Sequence, residues 1–240
     1  VIDGGDPCAS PTAFSSSVHN AAAANLSIIA GITGPCLTVS NFELSLHAAL
    51  LSAARWLSQG RVETVLLGAV DEFGPVVGYC RDRFHGLPDP SSFDPLDYSR
   101  QNAIPGEGAV FLVLKKGTGN GGRGTGYGTI GQLACGSGSP PEPEESALLV
   151  VGADGMAVCS RGYAAAVGPG EAPVSWARLY GSFPTAPAMD LAAALVCAKD
   201  GIAYPTPGAG IATPLAGRAI YCLKLAADGW GTIVVDPERP

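Results

Sequence analysis

Positive charge is scarce in this chain of 240 residues: 14 Lys and Arg face 21 Asp and Glu, for a formal net charge of −7. A surface of that sign repels phosphate backbones and anionic headgroups, which argues against nucleic acid and membrane as partners. Long apolar runs are also missing; none approaches the about 18 residues that a membrane-crossing helix needs. The seven cysteines (Cys8, Cys36, Cys80, Cys135, Cys159, Cys197 and Cys222) are odd in number, scattered and without CxxC spacing. A zinc site or a disulfide framework clusters its thiols, so these read as buried free thiols of a cytoplasmic protein, with no metal. There is no GxxxxGK[ST] pattern, and the glycine-rich run 117–128 reads as a flexible connection rather than a phosphate cradle. The first residue is Val, with no signal-like apolar stretch behind it, so a processed or partial piece is expected.

What is abundant is apolar sequence, 47% of residues against 15% charged, the composition of a well-buried α/β protein. The stretch 34–56, GPCLTVSNFELSLHAALLSAARW, organises it. Residues 37–39 read as a short strand; from Asn41, apolar residues at helical spacing (Phe42, Leu46, Ala49, Leu50, Ala53, Trp56) read as a buried helix. A strand turning into a buried helix is a common mount for a nucleophile, because the helix N-terminus stabilises negative charge. Here the turn holds Ser40, Asn41, Phe42 and Glu43, with no cysteine and no glycine-flanked serine. Ser40 and Glu43 instead match an S-x-x-E capping box.

In chain order, residues 1–10 read as a strand end and loop, and 13–29 as one helix with a small-residue face. Residues 62–70 read as a strand buried on both faces, 74–100 as a loop-rich excursion, and 109–114 as a strand. Residues 117–146, rich in Gly and Pro, read as a connection between halves 1–116 and 147–240. The second half offers a strand at 148–151, a helix at 189–198 and closing strands at 218–225 and 232–235. Such alternation implies a layered α/β architecture.

Four blocks in this order resemble the β-ketoacyl synthases of the thiolase fold. Residues 17–20, SVHN, precede Gly34-Pro35 and Thr38-Val39; Phe93-Asp94, Arg100 and Pro105-Gly106-Glu107-Gly108-Ala109 resemble an FD…R…GEGA block. Tyr180-Gly181 followed by 186–195 and 201–206 resembles a GH…PPT block, and Asp228-Gly229-Trp230-Gly231 sits where synthases have a GFGG turn. The resemblance implies a thiolase-like α-β-α-β-α layered fold, with an N-terminal strand-and-helix segment apparently missing before Ser10. It places Glu43 at the position of the nucleophilic cysteine and Ser182 at that of a histidine, with Ala177 where a lysine is expected. The other histidine motif belongs between 152 and 176, where no histidine stands; His19, His47 and His85 all lie elsewhere.

The nearest match within that resemblance is the chain length factor, the silent partner of a ketosynthase in type II polyketide systems, in its polyene-associated subgroup. It implies no catalytic residue and no cofactor of this chain's own. The expected partners are a cysteine-bearing ketosynthase and the acyl carrier protein, with its phosphopantetheine arm, that serves it. Thr12, Ala13, Phe14, Ser16, Ser17, Val18 and Phe42 would border the partner's acyl tunnel; Cys36, Leu37, Thr38 and Val39 would form the interface strand. From its residues alone Phe42 reads as a core residue rather than a gate, and His19 and His47 as structural hydrogen-bonding groups. Asp94 and Arg100 would form a loop-fixing ion pair, and Glu107 a hydrogen bond in its turn. Two alternatives remain open at this point: an acyltransferase or malonyl-thioester decarboxylase using Glu43, and a stand-alone homodimeric scaffold.

Overall fold

A computed structural model describes residues 10–86, 93–117, 126–168 and 172–237. The chain divides into two compact units, Val1–Ser40 and Asn41–Pro240. The expected strand end at residues 1–9, with Cys8, lies outside the described residues.

In the first unit, the single helix expected over 13–29 is two: α1, Pro11–Ser17, and α2, Ala21–Ile29. The hydroxyls of Ser15 and Ser16 donate to the Thr12 carbonyl and that of Ser17 to the Phe14 carbonyl. Such back-bonding competes with helix continuation, and a turn follows at 18–20. No residue of α2 is buried. Residues 36–39, expected as a strand, pair with no described strand.

The second unit is layered. Helices α3, Ser45–Ser58, and α6, Pro187–Asp200, lie between two sheets. One sheet pairs β1, Thr64–Asp71, antiparallel with β2, Gly108–Lys115, from Thr64 opposite Lys115 to Asp71 opposite Gly108. The other has four strands: β3, Thr129–Gly136; β4, Leu148–Val151; β7, Ile220–Leu225; and β8, Trp230–Asp236. Their order is β3-β8-β7-β4, with β4 parallel to β7 and the other pairs antiparallel. Helix α5, Ala157–Ala166, covers the opposite face of this sheet, packing Cys159 and Tyr163 on Leu149, Tyr221 and Leu223. Strands β5, Ile202–Ala203, and β6, Thr213–Pro214, make a small separate ladder.

All six residues of β7, IYCLKL, are buried. The two-residue strand period sends Tyr221, Leu223 and Leu225 toward α5, and Ile220, Cys222 and Lys224 toward the core of α3 and α6. A lysine in such a strand must find partners inside the protein.

Several expectations are corrected. Strand β1 is not buried on both faces: Leu67 and Ala69 face the core, whereas Leu66 and Val70 are exposed, as are Phe111 and Val113 on β2. The excursion at 74–100 contains α4, Pro75–His85, capped by Gly74 with Pro75 in its first turn; it buries no residue, so no apolar period announced it. Residues 117–146 are more than a connection, since β3 forms an edge of the four-stranded sheet and the compact units divide at Ser40 and Asn41. Arg100 pairs with Asp97 at 2.7 Å and Asp94 with Arg178 at 3.5 Å, in place of an Asp94–Arg100 bridge. Glu107 accepts the Phe73 N–H at 3.0 Å as its turn requires. Cys36, Cys80 and Cys135 are exposed; among the described residues, Cys159, Cys197 and Cys222 are the buried free thiols expected.

Leu191 on α6 is fully buried among both sheets' side chains. Leu191→Ala is expected to cost about 2–5 kcal/mol in a denaturant titration, whereas Ile211→Ala, at an exposed position, changes stability by less than about 0.5 kcal/mol.

Candidate functional site

The turn into α3 is a short 3-10 helix, Phe42–Leu44, with Asn41 at its cap and no side chain capping it. The capping box of Ser40 and Glu43 is therefore not formed. Ser45 takes over: its Oγ accepts the Asn41 N–H at 2.7 Å and donates to the Phe42 carbonyl at 2.7 Å. Phe42 carries φ +42°, the left-handed region that a bulky residue rarely adopts. It is 77% exposed, which overturns its reading as a core residue. Glu43 follows it, half-buried, in a turn that packs against β7.

Beyond that turn lies a buried polar network. Asp154, at the head of an Asp-Gly pair after β4, accepts three hydrogen bonds: from Ser182 Oγ at 2.8 Å, Lys224 Nζ at 3.3 Å and the Met156 N–H at 3.3 Å. Lys224 Nζ also donates to the Gly152 carbonyl at 2.8 Å. Behind it, Tyr180 Oη donates to Asp190 of α6 in a short hydrogen bond. All these side chains except the partly buried Tyr180 are less than a tenth exposed.

The backbone around them is built for close approach. A Cβ on Gly152 would sit 2.9 Å from Lys224 Cδ and 3.3 Å from Asp190 Oδ2, so only glycine lets the lysine stem pass. Gly155 has φ +82°, and a Cβ there would meet Asn102 Oδ1 at 2.3 Å. Ser182 is held by the turn at 104–106: its N–H donates to the Ile104 carbonyl at 2.7 Å, and its carbonyl accepts the Gly106 N–H at 3.1 Å. The Ser175 hydroxyl donates to the Ala153 carbonyl at 2.8 Å, and the Asn102 N–H to that of Gly155 at 3.0 Å.

The electrostatics decide what this arrangement can do. Burial opposes the charge on Lys224, but Asp154 outweighs it, with help from Tyr163, Cys159 and Asp190, and the ammonium is pushed above the ordinary lysine range. Lys224 is thus a cation at neutral pH and cannot serve as a base. Burial, chiefly, pushes Cys159 up to about 11; Lys224 lowers it, while Asp154 and Glu43 raise it. That thiol stays protonated near neutrality and is no nucleophile. Ser182 directs its proton at a carboxylate already held by a cation, without an imidazole to take it up. His47 is buried on α3 with its ring against Gly231, and Nδ1 has no partner, against the structural hydrogen bond expected. Burial, then Lys224, lowers it to about 4, so it is neutral at pH 7. Among the described residues no three His, Cys, Asp or Glu side chains converge as a metal site.

Of the residues singled out in sequence, Ser182 lies in this network and Glu43 in the adjoining turn. Thr12, Phe14, Ser16, Ser17 and Val18 belong to the first unit and are exposed; Ala13 is in α1, its side chain outside the described residues. Cys36 and Leu37 are exposed, and Thr38 and Val39 half-buried. Sequence reading missed Asp154, Lys224 and Asp190. The signals were a lysine inside an otherwise apolar strand and an Asp-Gly pair within 152–176, the span assigned to the missing histidine.

The profile of the β-ketoacyl synthase N-terminal domain matches residues 5–82. No curated protein matches the sequence. Among solved structures, a β-ketoacyl synthase from Burkholderia phymatum STM815 superposes with a TM-score of 0.82 at 15% identity, over 99% of this chain and 70% of that one. The ishigamide ketosynthase/chain length factor gives 0.70 at 16% identity, over 97% of this chain and 65% of that one. AntDE:AntF, a type II polyketide synthase ketosynthase in complex with its acyl-carrier protein, gives 0.65 at 15%, over 95% and 67%. The fold is therefore the thiolase-like ketosynthase fold, of which this chain spans 70% of the first relative's length and about half that of modular ketosynthases.

Removing Lys224 alone leaves a buried carboxylate without its counter-ion. Lys224→Met is expected to cost about 3–5 kcal/mol, whereas Lys224→Met combined with Asp154→Leu recovers most of that loss in a double-mutant cycle. Asp190 gives a separate signature. Burial, partly offset by Tyr180 and Lys224, raises its pKa from 3.8 to about 7. Between these values the folded state keeps a proton that the unfolded state has lost, so this contribution makes stability fall as pH rises from about 4 to about 7. Denaturation midpoints for Asp190→Asn are expected to lose that slope.

Proposed function

We propose that this chain is the non-catalytic chain length factor of a type II polyketide synthase, paired in the cytoplasm with a ketosynthase that carries the catalytic cysteine. The partner would perform acyl transfer and decarboxylative condensation on chains delivered by an acyl carrier protein through its phosphopantetheine arm. This chain would supply the far wall of the tunnel and need no cofactor of its own.

The observation that carries the reading is the chemistry of the buried network and of the turn into α3. Where condensation needs a thiolate and imidazoles, this chain has Glu43, Ser182 and a self-neutralised Lys224–Asp154 pair. None of these supplies an activated nucleophile at neutral pH. Two further features support pairing. Residues 36–39 contain neither Lys nor Pro, the usual protections of an unpaired strand, and form no ladder with any described strand. The first unit also leaves Phe14, Ile28, Ile29 and Leu37 exposed, an apolar surface of the kind an obligate interface of about 2,000 Å² covers. Small side chains at Ser16 and Ser17 would leave the tunnel deep, since overfilling a packed site costs about 1–3 kcal/mol.

Co-expression with the cognate ketosynthase is expected to yield a one-to-one complex by size exclusion. Mass analysis of carrier-bound products should show shorter chains with Ser16→Phe. A chain that purifies alone and leaves the products unchanged would overturn the proposal in favour of a scaffold. Turnover of malonyl thioester by the isolated chain, lost in Glu43→Gln, would overturn it in favour of an enzyme.

A further inference from the structure

Between α4 and residues 101–105 lies a cavity of about 280 Å³, lined in part by Phe73, Tyr79, Arg81, Asp82, His85 and Gln101. Arg81 is the arginine of its lining. The guanidinium is about half-buried and makes no ion pair with any described carboxylate. One arm donates to the Ser182 carbonyl at 2.6 Å and the other to Met156 Sδ at 3.5 Å. The Gln101 carboxamide donates to the same sulfur, also at 3.5 Å.

This is an uneven match. One arm of the guanidinium and an amide N–H₂ converge on a thioether, one of the weakest acceptors a protein offers. The Gln101 carbonyl oxygen is committed to the Ala157 N–H at 2.8 Å, which fixes the carboxamide with its donor end toward Met156. The carboxylate whose field reaches Arg81 is Asp154, and its oxygens are already engaged by Lys224, Ser182 and the Met156 N–H. A half-buried cation whose hydrogen bonds go to neutral groups favours a bound counter-ion.

The geometry points to a carboxylate-binding site at Arg81, in which an exogenous acid takes the guanidinium fork and the Gln101 amide away from the Met156 sulfur. His85, one helical turn after Arg81 on α4, lines the same cavity and offers a further donor. A cavity of about 280 Å³ leaves room for an acid of three or four carbons. Phe73 and Ala103 supply apolar wall for its methylene groups. Asp82 also lines the cavity, so a ligand with one carboxylate and an uncharged far end fits better than a dianion or a phosphate. A short aliphatic acid with one free carboxylate and an uncharged ester or amide at its far end has that chemistry. Because Arg81 holds the Ser182 carbonyl, such a ligand would sit beside the polar network. The inference is independent of whether the chain pairs with a ketosynthase.

Calorimetric titration of the full chain tests it with monomethyl malonate as the probe, against dimethyl malonate and inorganic phosphate. Monomethyl malonate is expected to bind, and dimethyl malonate, which lacks the carboxylate, is not. Arg81→Gln should weaken binding at least tenfold, and Arg81→Lys, which keeps the charge and loses the fork, about tenfold with circular dichroism unchanged. Arg83→Gln, an exposed position on the same helix outside the cavity, should leave binding as it was. Absence of binding, equal binding of the diester, tighter binding of phosphate, or full affinity in a folded Arg81→Lys would each overturn the assignment.

Discussion

One buried ion pair constrains the polar interior of the second unit. Lys224 and Asp154 are 4% and 7% exposed at their side chains and lie 3.3 Å apart. Taking two charges out of water is costly, and attraction repays it only when geometry is good and the remaining donors and lone pairs are used. Here they are used: Lys224 reaches the Gly152 carbonyl, and Asp154 takes the Ser182 hydroxyl and a backbone N–H. The Lys224 stem requires a glycine at 152, while Asn102 and Ala103 crowd Gly155 and the backbone at 104–106 anchors Ser182.

The same pair shapes the chemistry. A ketosynthase-type site works through a thiolate and neutral imidazoles whose protonation states change during the reaction. A lysine held as a cation by a carboxylate has nothing to exchange near neutral pH, and its field lowers His47 further. The Asp190 and Tyr180 pair adds a group that titrates near neutrality, but one shut between α6 and the sheet. What remains facing outward is the half-buried Glu43 and the strained, exposed Phe42.

Much of the fold was legible because burial leaves a local pattern. Strands β2, β4, β7 and β8 and helix α6 were visible as apolar periods, and the block at 105–109 marks the turn that anchors Ser182. Helix α4 escaped because it buries nothing and so has no apolar stripe. Strand β3 escaped because glycines at 128, 131 and 136 resemble linker composition, although those at 131 and 136 make room for Asp236 and Trp230 on the paired strand. The break between α1 and α2 turned on serine hydroxyls that compete for helix carbonyls, a choice apolar spacing does not record.

By itself, the sequence determined the layered α/β class and the missing groups: no cysteine at the turn into α3, no histidine at 182 or within 152–176. Those are properties of single positions and short windows. Only the tertiary structure decided which polar groups meet in the interior. Asp154 meets Ser182 and Lys224 across 28 and 70 residues of chain, because β4 lies parallel to β7 and the loop after β4 closes over the end of that pair. A lysine in an apolar strand carries no local sign of its partner. The partner is set by strand order, and the low polarity of the interior makes the pairing obligatory once the sheet has formed.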